Sequence, residues 1–315
     1  MEIIRITYPE LNQEKSLKPM SLAVGYFDGV HQGHQQVINT AKNFAEERGL
    51  KSAIMTFDPH PMTVLTGKKL ENHLITSLDE KLSMFESLAV DYVFIVTFNK
   101  SLSQLSPTEF VKQFFINQNV KHVVAGFDFS FGHKGSGKIQ NMDEYSNGQL
   151  TFTVVDKVTY ENEKISSTRI RKTILEGEME LCAQLLGRPF SIKGKVVEGF
   201  KRGREIGYPT ANIQIDEEHI IPKVGIYAVT IDVKGETFSG MASIGYNPTF
   251  TDHLKHPVLE VHIFDFNEEI YGEIVNVYFY RYIRDEIKFE QVDQLIDQMK
   301  DDEKEVKNFL SNSVK

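Results

Sequence analysis

The chain of 315 residues changes its pattern of hydrophobic residues once, near residue 187, and this change constrains its fold more than any other feature. Before it, short apolar runs alternate with amphipathic stretches, beginning with residues 21–25 and 33–47. Such alternation predicts parallel strands joined by helices. After it, apolar runs with a period of two follow one another, which predicts an antiparallel sheet or small barrel. We therefore expect an α/β domain over residues 1–185 and a β domain over residues 186–315.

Local signals mark the ends of several predicted helices. Ser106 can cap a helix that has Pro107 at its first position and Glu109 at its third. Gly49 stands where a helix C-terminal cap belongs. A helix pair is predicted before the boundary, and a terminal helix over residues 289–310 is expected to pack on the barrel. Its expected buried stripe consists of Phe289, Val292, Leu295, Ile296 and Met299.

Composition excludes several classes of protein. The net charge of −9 argues against a general nucleic-acid binder, so an anionic substrate must meet a local basic patch. A single cysteine, Cys182, cannot form an internal disulfide or a CxxC-type zinc site, and it is expected to be a buried core residue. The chain shows no signal-peptide pattern and no apolar run near the ~18 residues that cross a bilayer. We expect a cytoplasmic protein without membrane or nucleic-acid partners, either a monomer or a weak homo-oligomer.

The segment GYFDGVHQGH, residues 25–34, follows the predicted strand at 21–25 and leads into a helix. The end of a parallel strand and a helix N-terminus together make an anion site. His31 and His34 are three residues apart and can present two imidazoles to one side of the helix. The alternative is a glycine-rich turn with incidental histidines. The remaining candidates for ligand contacts in this loop are Gly25, Phe27, Asp28 and Gly33, while Gly29 adds a third glycine.

A second basic cluster lies at ISSTRIR, residues 165–171. Ser166 or Ser167 can cap a helix whose first turns carry Thr168, Arg169 and Arg171. Hydroxyls, free amides and guanidinium groups at a helix start suit a polyphosphate. By itself the cluster would more often be an N-cap with surface arginines.

Two further segments follow predicted strands and are expected to face the same crevice: FDPHP at 57–61 and GFDFSFGHKGSG at 126–137. His60, Asp128 and Phe129 are the candidates for substrate contacts. The alternative is a pair of ordinary strand-end turns. The second segment has the glycine and lysine spacing of a P-loop, but Ile139 stands where magnesium needs Ser or Thr, so we reject a P-loop.

The β domain begins with a glycine-rich basic loop that leads into a Pro-Thr-Ala-Asn run, residues 199–213. Thr210 and Asn212 alternate and, in an extended chain, put two neutral oxygen ligands on one face, which is enough for Mg²⁺ when phosphates supply the rest. An edge hairpin with a charged tip is the alternative. Residues of the loop that are candidates to lie over phosphates are Gly199, Lys201, Arg204 and Gly207.

Glu260 lies within an alternating run at residues 257–266. Alternation puts Leu259, Val261 and Ile263 on one face of the strand. The other face has Glu260, His262 and Phe264. A carboxylate on a barrel strand is costly unless it is paired or functional. An outward-facing glutamate is the ordinary alternative.

With these motifs in this order, the sequence resembles the bacterial bifunctional riboflavin kinase/FAD synthetase family over nearly its whole length. SSTRIR resembles the ISSTxxR signature of nucleotidylyltransferases. The resemblance implies a Rossmann-like N-terminal domain that transfers AMP from ATP to FMN, giving FAD. It also implies a C-terminal antiparallel β-barrel that phosphorylates riboflavin to FMN with ATP and Mg²⁺.

The resemblance also implies roles for individual residues. His31 and His34 are assigned to the ATP phosphates and the transition state, with Asp28 in the same nucleotide loop. Ser166, Ser167, Arg169 and Arg171 are assigned to the triphosphate and leaving group, and Asp128 and Phe129 to the substrate region. Thr210 and Asn212 become metal and nucleotide ligands, and Glu260 the base that accepts the riboflavin 5′-hydroxyl proton.

Three other interpretations remain open. One is an enzyme in which only one half works, and another is a flavin- or nucleotide-sensing regulator that has lost catalysis. No motif residue is missing, which argues against both. A nucleic-acid-binding barrel ranks last because the C-terminal half is the more acidic one.

Overall fold

The computed structural model describes residues 1–10, 17–199, 202–246 and 257–313. The chain divides into two compact units. The first consists of Met1–Leu70 and Leu74–Ser167, and the second of Glu71–His73 and Thr168–Lys315.

The first unit contains a six-stranded parallel sheet with the order β1-β4-β3-β2-β5-β8, as the alternating pattern predicts. Its strands are β1 (Glu2–Thr7), β2 (Met20–Val24), β3 (Lys51–Asp58), β4 (Tyr92–Thr97), β5 (Val120–Gly126), β6 (Ser130–Phe131), β7 (Gly137–Lys138), β8 (Thr151–Val155), β9 (Thr159–Tyr160) and β10 (Glu163–Lys164). Its helices are α1 (Gln32–Arg48), α2 (Pro61–Thr66), α3 (Leu78–Ser87), α4 (Lys100–Ser103), α5 (Pro107–Phe114) and α6 (Met142–Ser146). The β6–β7 and β9–β10 pairs form small separate antiparallel sheets.

Apolar clusters cover both faces of this sheet. One contains Phe94, Phe110 and Phe114, and the other contains Ile38 and Phe85. All five residues of β2 are buried. A strand covered on both faces has no face exposed to solvent, so its sequence is a nearly continuous apolar run rather than an alternating pattern.

The helix-end signals form as predicted. Ser106 and Glu109 make a reciprocal capping box at the start of α5, with Pro107 in the first turn. Gly49 ends α1 in the left-handed conformation, with φ of 64°. These local hydrogen bonds fix where the helices start and stop.

The second unit is built around a closed antiparallel barrel with the strand order β11-β12-β15-β14-β13-β16. Its elements are α7 (Ser167–Glu176, whose first residue belongs to the other unit), α8 (Met179–Leu186), β11 (Phe190–Val197), α9 (Arg202–Glu205), β12 (Ala211–Gln214), β13 (Gly225–Val233), β14 (Glu236–Gly245), β15 (Val258–Ile263), β16 (Ile274–Arg284) and α10 (Val292–Ser313). Cys182 of α8 is buried as expected, and burial raises the pKa of its thiol to about 12.

The terminal helix α10 packs on the barrel with only part of the stripe that the sequence predicts: Met299 is partly buried against the cluster that contains Val306 and Leu310. Val292 is 59% exposed, whereas the buried positions are Asp302, Val306 and Leu310. Asp302 is buried because Arg284 donates to it through Nε at 2.8 Å and Nη2 at 2.6 Å. A buried ion pair thus occupies part of the packed face, and a search for apolar residues alone misses it.

Within the described ranges, no helix combines the length and apolar character needed to cross a membrane.

Candidate active sites

The three predicted motifs of the first unit lie at the carboxyl ends of neighbouring strands. β2 is flanked in the sheet by β3 on one side and β5 on the other. The chain leaves β2 towards Gly25, β3 towards His60 and β5 towards Asp128. Since the strand order reverses at β2, this is the kind of crevice in which open α/β sheets bind ligands.

The loop from β2 to α1 has an unusual backbone. Phe27, Gly29 and Val30 all have positive φ, at 59°, 86° and 38°. Left-handed conformations are unfavourable for a β-branched or bulky side chain and persist only where the surroundings fix them. The loop is therefore held in a defined shape at some cost in energy.

Asp28 fixes the middle of this loop. Its Oδ1 accepts hydrogen bonds from the backbone N–H groups of Ile75 at 3.0 Å and Thr76 at 3.2 Å. Its carbonyl oxygen accepts one from Ser167 Oγ at 2.9 Å. Asp28 is 2% exposed, so its carboxylate anchors the loop rather than facing solvent.

The two histidines predicted to face one side are stacked. Their ring centroids are 3.5 Å apart and the planes are 18° from parallel. His31 is the N-cap of α1, and its Nδ1 accepts a hydrogen bond from the backbone N–H of His34 at 3.3 Å. A Cβ on Gly33 would lie 3.2 Å from two atoms of the His31 ring. The glycine between the histidines therefore leaves room for the stacked pair.

Phe27 is a core residue. It is 2% exposed, and its ring meets those of His34 at 5.3 Å and Phe85 at 6.1 Å, edge to face. A Cβ on Gly25 would lie 2.9 Å from the Phe27 ring. Because the side chain of Phe27 faces the core, only the main-chain atoms of this residue are available to contact a ligand.

The other predicted contacts in this unit are more exposed. His60 is the N-cap of α2, and its ring meets that of Tyr26 at 4.3 Å. Asp128 forms an ion pair with Lys164 and is 58% exposed. Phe129 is partly buried against the core, with its ring 5.7 Å from that of Phe131.

The basic motif begins α7. Ser166 directly precedes the helix, and the Ser167 hydroxyl bonds to Asp28 as described above. Thr168 is exposed and Arg169 is partly buried. In the second unit, Arg171 Nε donates to the carbonyl oxygen of His73 at 2.8 Å. The guanidinium of Arg171 is thereby oriented by the main chain.

In the barrel, three predicted residues come together. Thr210 Oγ1 donates to Glu260 Oε2 at 3.0 Å, and Asn212 is directly opposite Glu260 in the β12–β15 pair. The predicted alternation holds along β15, where Leu259 and Val261 are buried while Glu260 is partly exposed.

Phe264 does not follow the predicted alternation. It follows the end of β15 and is buried with Val306 and Leu310 of α10, instead of continuing the partly exposed face of Glu260 and His262. His262 Nδ1 lies 2.8 Å from the Pro209 carbonyl oxygen. Because a carbonyl only accepts, Nδ1 carries the proton in this bond.

Of the glycine-rich loop before β12, the described residue Gly199 lies close to the Asn212 side chain. A Cβ on Gly199 would lie 2.5 Å from Cγ of Asn212, so a larger residue there would have to displace the Asn212 side chain. Gly207 has φ of 85°, and Arg204 is exposed, with Nη2 at 3.2 Å from the hydroxyl of Tyr271. Lys201 lies outside the described residues.

A pocket of about 400 Å³ adjoins Thr210. Part of its wall is formed by Ile263 of β15 and by apolar and aromatic residues that the sequence analysis did not single out: Val196, Phe266, Ile270 and Tyr271. The last three follow β15 at the aromatic-rich run 264–271, which is the only signal that could have indicated them.

Comparison with known proteins identifies the relatives of this chain. A family model described as FAD synthetase matches residues 13–169, and one described as riboflavin kinase matches residues 186–310. Bifunctional riboflavin kinase/FMN adenylyltransferases from Listeria monocytogenes and Bacillus subtilis are 46% and 44% identical, each over 99% of both chains.

A crystal structure from Streptococcus pneumoniae, named as a macrolide-efflux protein, is 36% identical, with a TM-score of 0.87 over 98% of this chain and 99% of that one. That structure has the same fold as this chain. The name macrolide-efflux protein describes that structure and says nothing about the activity of this chain. The two family models and the full-length similarity to the enzymes of Listeria and Bacillus confirm the resemblance seen in the motifs. The chain belongs to the family of bifunctional riboflavin kinase/FMN adenylyltransferases.

Proposed function

We propose that the chain makes FAD from riboflavin in two ATP-dependent steps at two separate sites. Residues 186–315 phosphorylate riboflavin to FMN, and residues 1–185 join FMN to AMP. One observation carries the proposal: a chain similar to enzymes named for both activities has both residue sets, the stacked pair His31–His34 and the group Thr210–Asn212–Glu260.

In the adenylyl-transfer step, a phosphate oxygen of FMN attacks the α-phosphorus of ATP, and the bond to the β-phosphate oxygen breaks to release pyrophosphate. The attacking phosphate is already a nucleophile, so the protein needs to position the reactants and neutralise charge. We assign phosphate and transition-state contacts to His31 and His34. The N-terminus of α1, which follows His31, adds a favourable field for an anion.

The remaining predicted residues of this step support the phosphates and the flavin. Ser166, Ser167, Thr168, Arg169 and Arg171 hold the triphosphate and the leaving group, while His60, Asp128 and Phe129 contact substrate. Asp28 acts by holding the loop, because backbone donors already occupy its carboxylate. Gly25 and Gly33 allow the rings of Phe27 and His31 to pack.

In the kinase step, Glu260 accepts the proton of the riboflavin 5′-hydroxyl as that oxygen attacks the γ-phosphorus of ATP, and ADP leaves. The Thr210 hydroxyl, 3.0 Å from Glu260, orients the carboxylate. Gly199, Lys201, Arg204 and Gly207 belong to the loop that covers the phosphates. The pocket of about 400 Å³ beside Thr210 offers apolar surface for a planar ring.

Magnesium fits the donor set of the barrel. Thr210 and Asn212 supply neutral oxygens next to the Glu260 carboxylate, and Mg²⁺ favours hard oxygen ligands together with phosphates and water. In the described ranges no group of three His, Cys, Asp or Glu side chains could hold a metal, so the ion would depend on substrate phosphates. When bound, it would neutralise phosphate charge.

The test is to incubate the protein with ATP, magnesium and either riboflavin or FMN, and to separate the flavins by chromatography. FMN followed by FAD from riboflavin, and FAD from FMN, would support both steps. FMN alone would indicate an inactive first domain, and FAD only from supplied FMN an inactive barrel. Flavin bound without conversion would favour a sensor. The small-molecule partners are riboflavin, FMN and ATP; a monomer or weak homo-oligomer in the cytoplasm remains our prediction.

A further inference from the structure

Lys81 is a buried cation that the two proposed steps leave unused. It lies in α3 and is 2% exposed. Its Nζ donates to the carbonyl oxygen of Tyr26 at 3.3 Å and lies 4.1 Å from the centroid of the Tyr26 ring. Among the residues that the structure describes, no carboxylate lies within ion-pair distance of it.

Burying an ammonium in this way is unfavourable. Loss of hydration lowers the pKa of Lys81 to about 8, although the negative charges of Asp28 and Asp58 oppose the change. A methionine of similar length would fill the same space without that cost. A lysine whose burial costs stability in this way points to a use other than folding stability.

The hydrogen bond from Lys81 ends on the loop that leads to the stacked histidines. Tyr26 is the residue directly before the left-handed Phe27, and its carbonyl oxygen also accepts from Thr56 Oγ1 at 2.9 Å. Two donors therefore converge on one carbonyl at the start of a strained loop. Strained backbone persists only when neighbouring contacts over-determine it, and Lys81 provides one of these contacts.

The charges around Lys81 also affect the electrostatic potential that an anionic ligand would experience. Asp28 and Asp58 both act on it electrostatically, and both lie at the carboxyl ends of the strands that form the crevice. A polyphosphate bound there would lie in the field of the buried Asp28 and the partly buried Asp58. A buried ammonium between loop and sheet offsets part of that negative charge in a region of low dielectric, where its effect is large.

We propose that Lys81 is a positioning residue for adenylyl transfer. Its ammonium holds the Tyr26 carbonyl, and through it the loop that carries His31 towards the nucleotide phosphates, and it reduces the repulsion from Asp28 and Asp58. This inference rests on the proposed function of the first domain. It concerns only FAD formation from FMN, not the kinase step.

The test compares Lys81→Met with Lys42→Met. Lys42 is a matched control because its Nζ also donates to a backbone carbonyl, that of Leu88, away from the loop. For each variant, kcat and KM for ATP in FAD formation, FMN formation and the temperature of unfolding are measured. We expect Lys81→Met to lower kcat/KM for FAD formation at least 10-fold, with the unfolding temperature equal to or above that of the wild type.

Lys42→Met should keep FAD formation within twofold, and both variants should keep FMN formation. If Lys81→Met forms FAD within twofold of the wild type, the positioning role of Lys81 is refuted, while the proposed function of the first domain is unaffected. An unfolding temperature clearly below that of Lys42→Met would also overturn it, since Lys81 would then serve folding. A wild-type protein that makes no FAD from FMN would refute the proposed function of the first domain, and this inference with it.

A second measurement needs no substitution. The groups around Lys81 that titrate or carry charge are Asp28, Asp58, Tyr26 and, beyond the Tyr26 ring, His60. Since Lys81 loses its proton as the pH rises through about 8, FAD formation should decline over pH 7.5–9.5 relative to FMN formation by the same protein. Equal pH dependence of the two activities across that range would contradict the inference.

Discussion

The hydroxyl of Thr210 donates a hydrogen bond to the carboxylate of Glu260 across 3.0 Å, joining the residue that precedes β12 to the centre of β15. The two residues are fifty positions apart in the chain. Their contact puts an oriented carboxylate beside the oxygen donors that we assign to the metal, an arrangement suited to phosphorylation of a hydroxyl group.

The first prediction concerns this carboxylate. Glu260→Gln keeps an acceptor for Thr210 but removes the base, so FMN formation from riboflavin should fall by about 10²–10⁴-fold. FAD formation from supplied FMN should remain within twofold of the wild type. Chromatographic assay of the two reactions checks both statements. Loss of both activities in a folded variant would contradict the assignment of separate sites.

The second prediction concerns the stacked histidines. His31→Asn removes the imidazole and keeps a side-chain oxygen that can cap α1. FAD formation should fall by roughly 100-fold or more, as for loss of one transition-state donor, and FMN formation should be unchanged. An asparagine variant with near-normal FAD formation would show that His31 has only its capping role.

The third prediction compares Gly33, which lies in the first turn of α1, with Gly49, the C-terminal cap of that helix. It separates an effect on the shape of the site from an effect on the stability of the fold. In Gly33→Ala the new Cβ would lie 3.2 Å from the His31 ring, so the pair must shift and FAD formation should fall about 10-fold. Gly49→Ala meets no atom within 4 Å but must adopt φ of 64°. It should lower the free energy of unfolding by about 1 kcal/mol and leave FAD formation intact. The reverse pattern would refute this account of the loop.

The fourth prediction concerns the buried ion pair under α10. Asp302→Ala leaves Arg284 without its buried carboxylate partner, and should lower the free energy of unfolding by about 3 kcal/mol. Asp297→Ala breaks the exposed pair with Lys300 on the same helix and should change it by less than about 0.5 kcal/mol. Denaturant unfolding measures both. If both substitutions lower the free energy of unfolding by the same amount, burial of the Arg284–Asp302 pair does not increase its contribution to stability.

Local patterns predicted the elements whose ends and faces are set by near neighbours. The capping box at Ser106 and the alternation along β15 are examples, since the interacting residues are close in sequence. The parallel sheet followed from the same patterns, which left an antiparallel sheet and a small barrel open for the second unit; the structure has the closed barrel. Edge strand β1 was not predicted, although its side chains alternate in part between exposed and buried.

Contacts between distant segments were beyond these patterns. Asp28, which was expected in the nucleotide loop, accepts hydrogen bonds from the backbone of Ile75 and Thr76, almost fifty residues away, and the sequence did not indicate these partners. Nothing near Lys81 in the chain shows that its ammonium reaches Tyr26. The buried face of α10 was predicted only in part, because it also includes Asp302, whose partner belongs to another element. In each case a polar group is buried by a partner that only the fold supplies.

The central claim is that two independent sites act in sequence, and one mixing experiment tests it most directly. Glu260→Gln and His31→Asn are each incubated alone with riboflavin, ATP and magnesium, and then together, with the double variant as control. The account predicts no FAD from Glu260→Gln, FMN only from His31→Asn, and FAD from the mixture, because FMN released by one protein serves the other. If the mixture makes FMN but no FAD while Glu260→Gln converts supplied FMN normally, or if either single variant loses both activities, the account is contradicted.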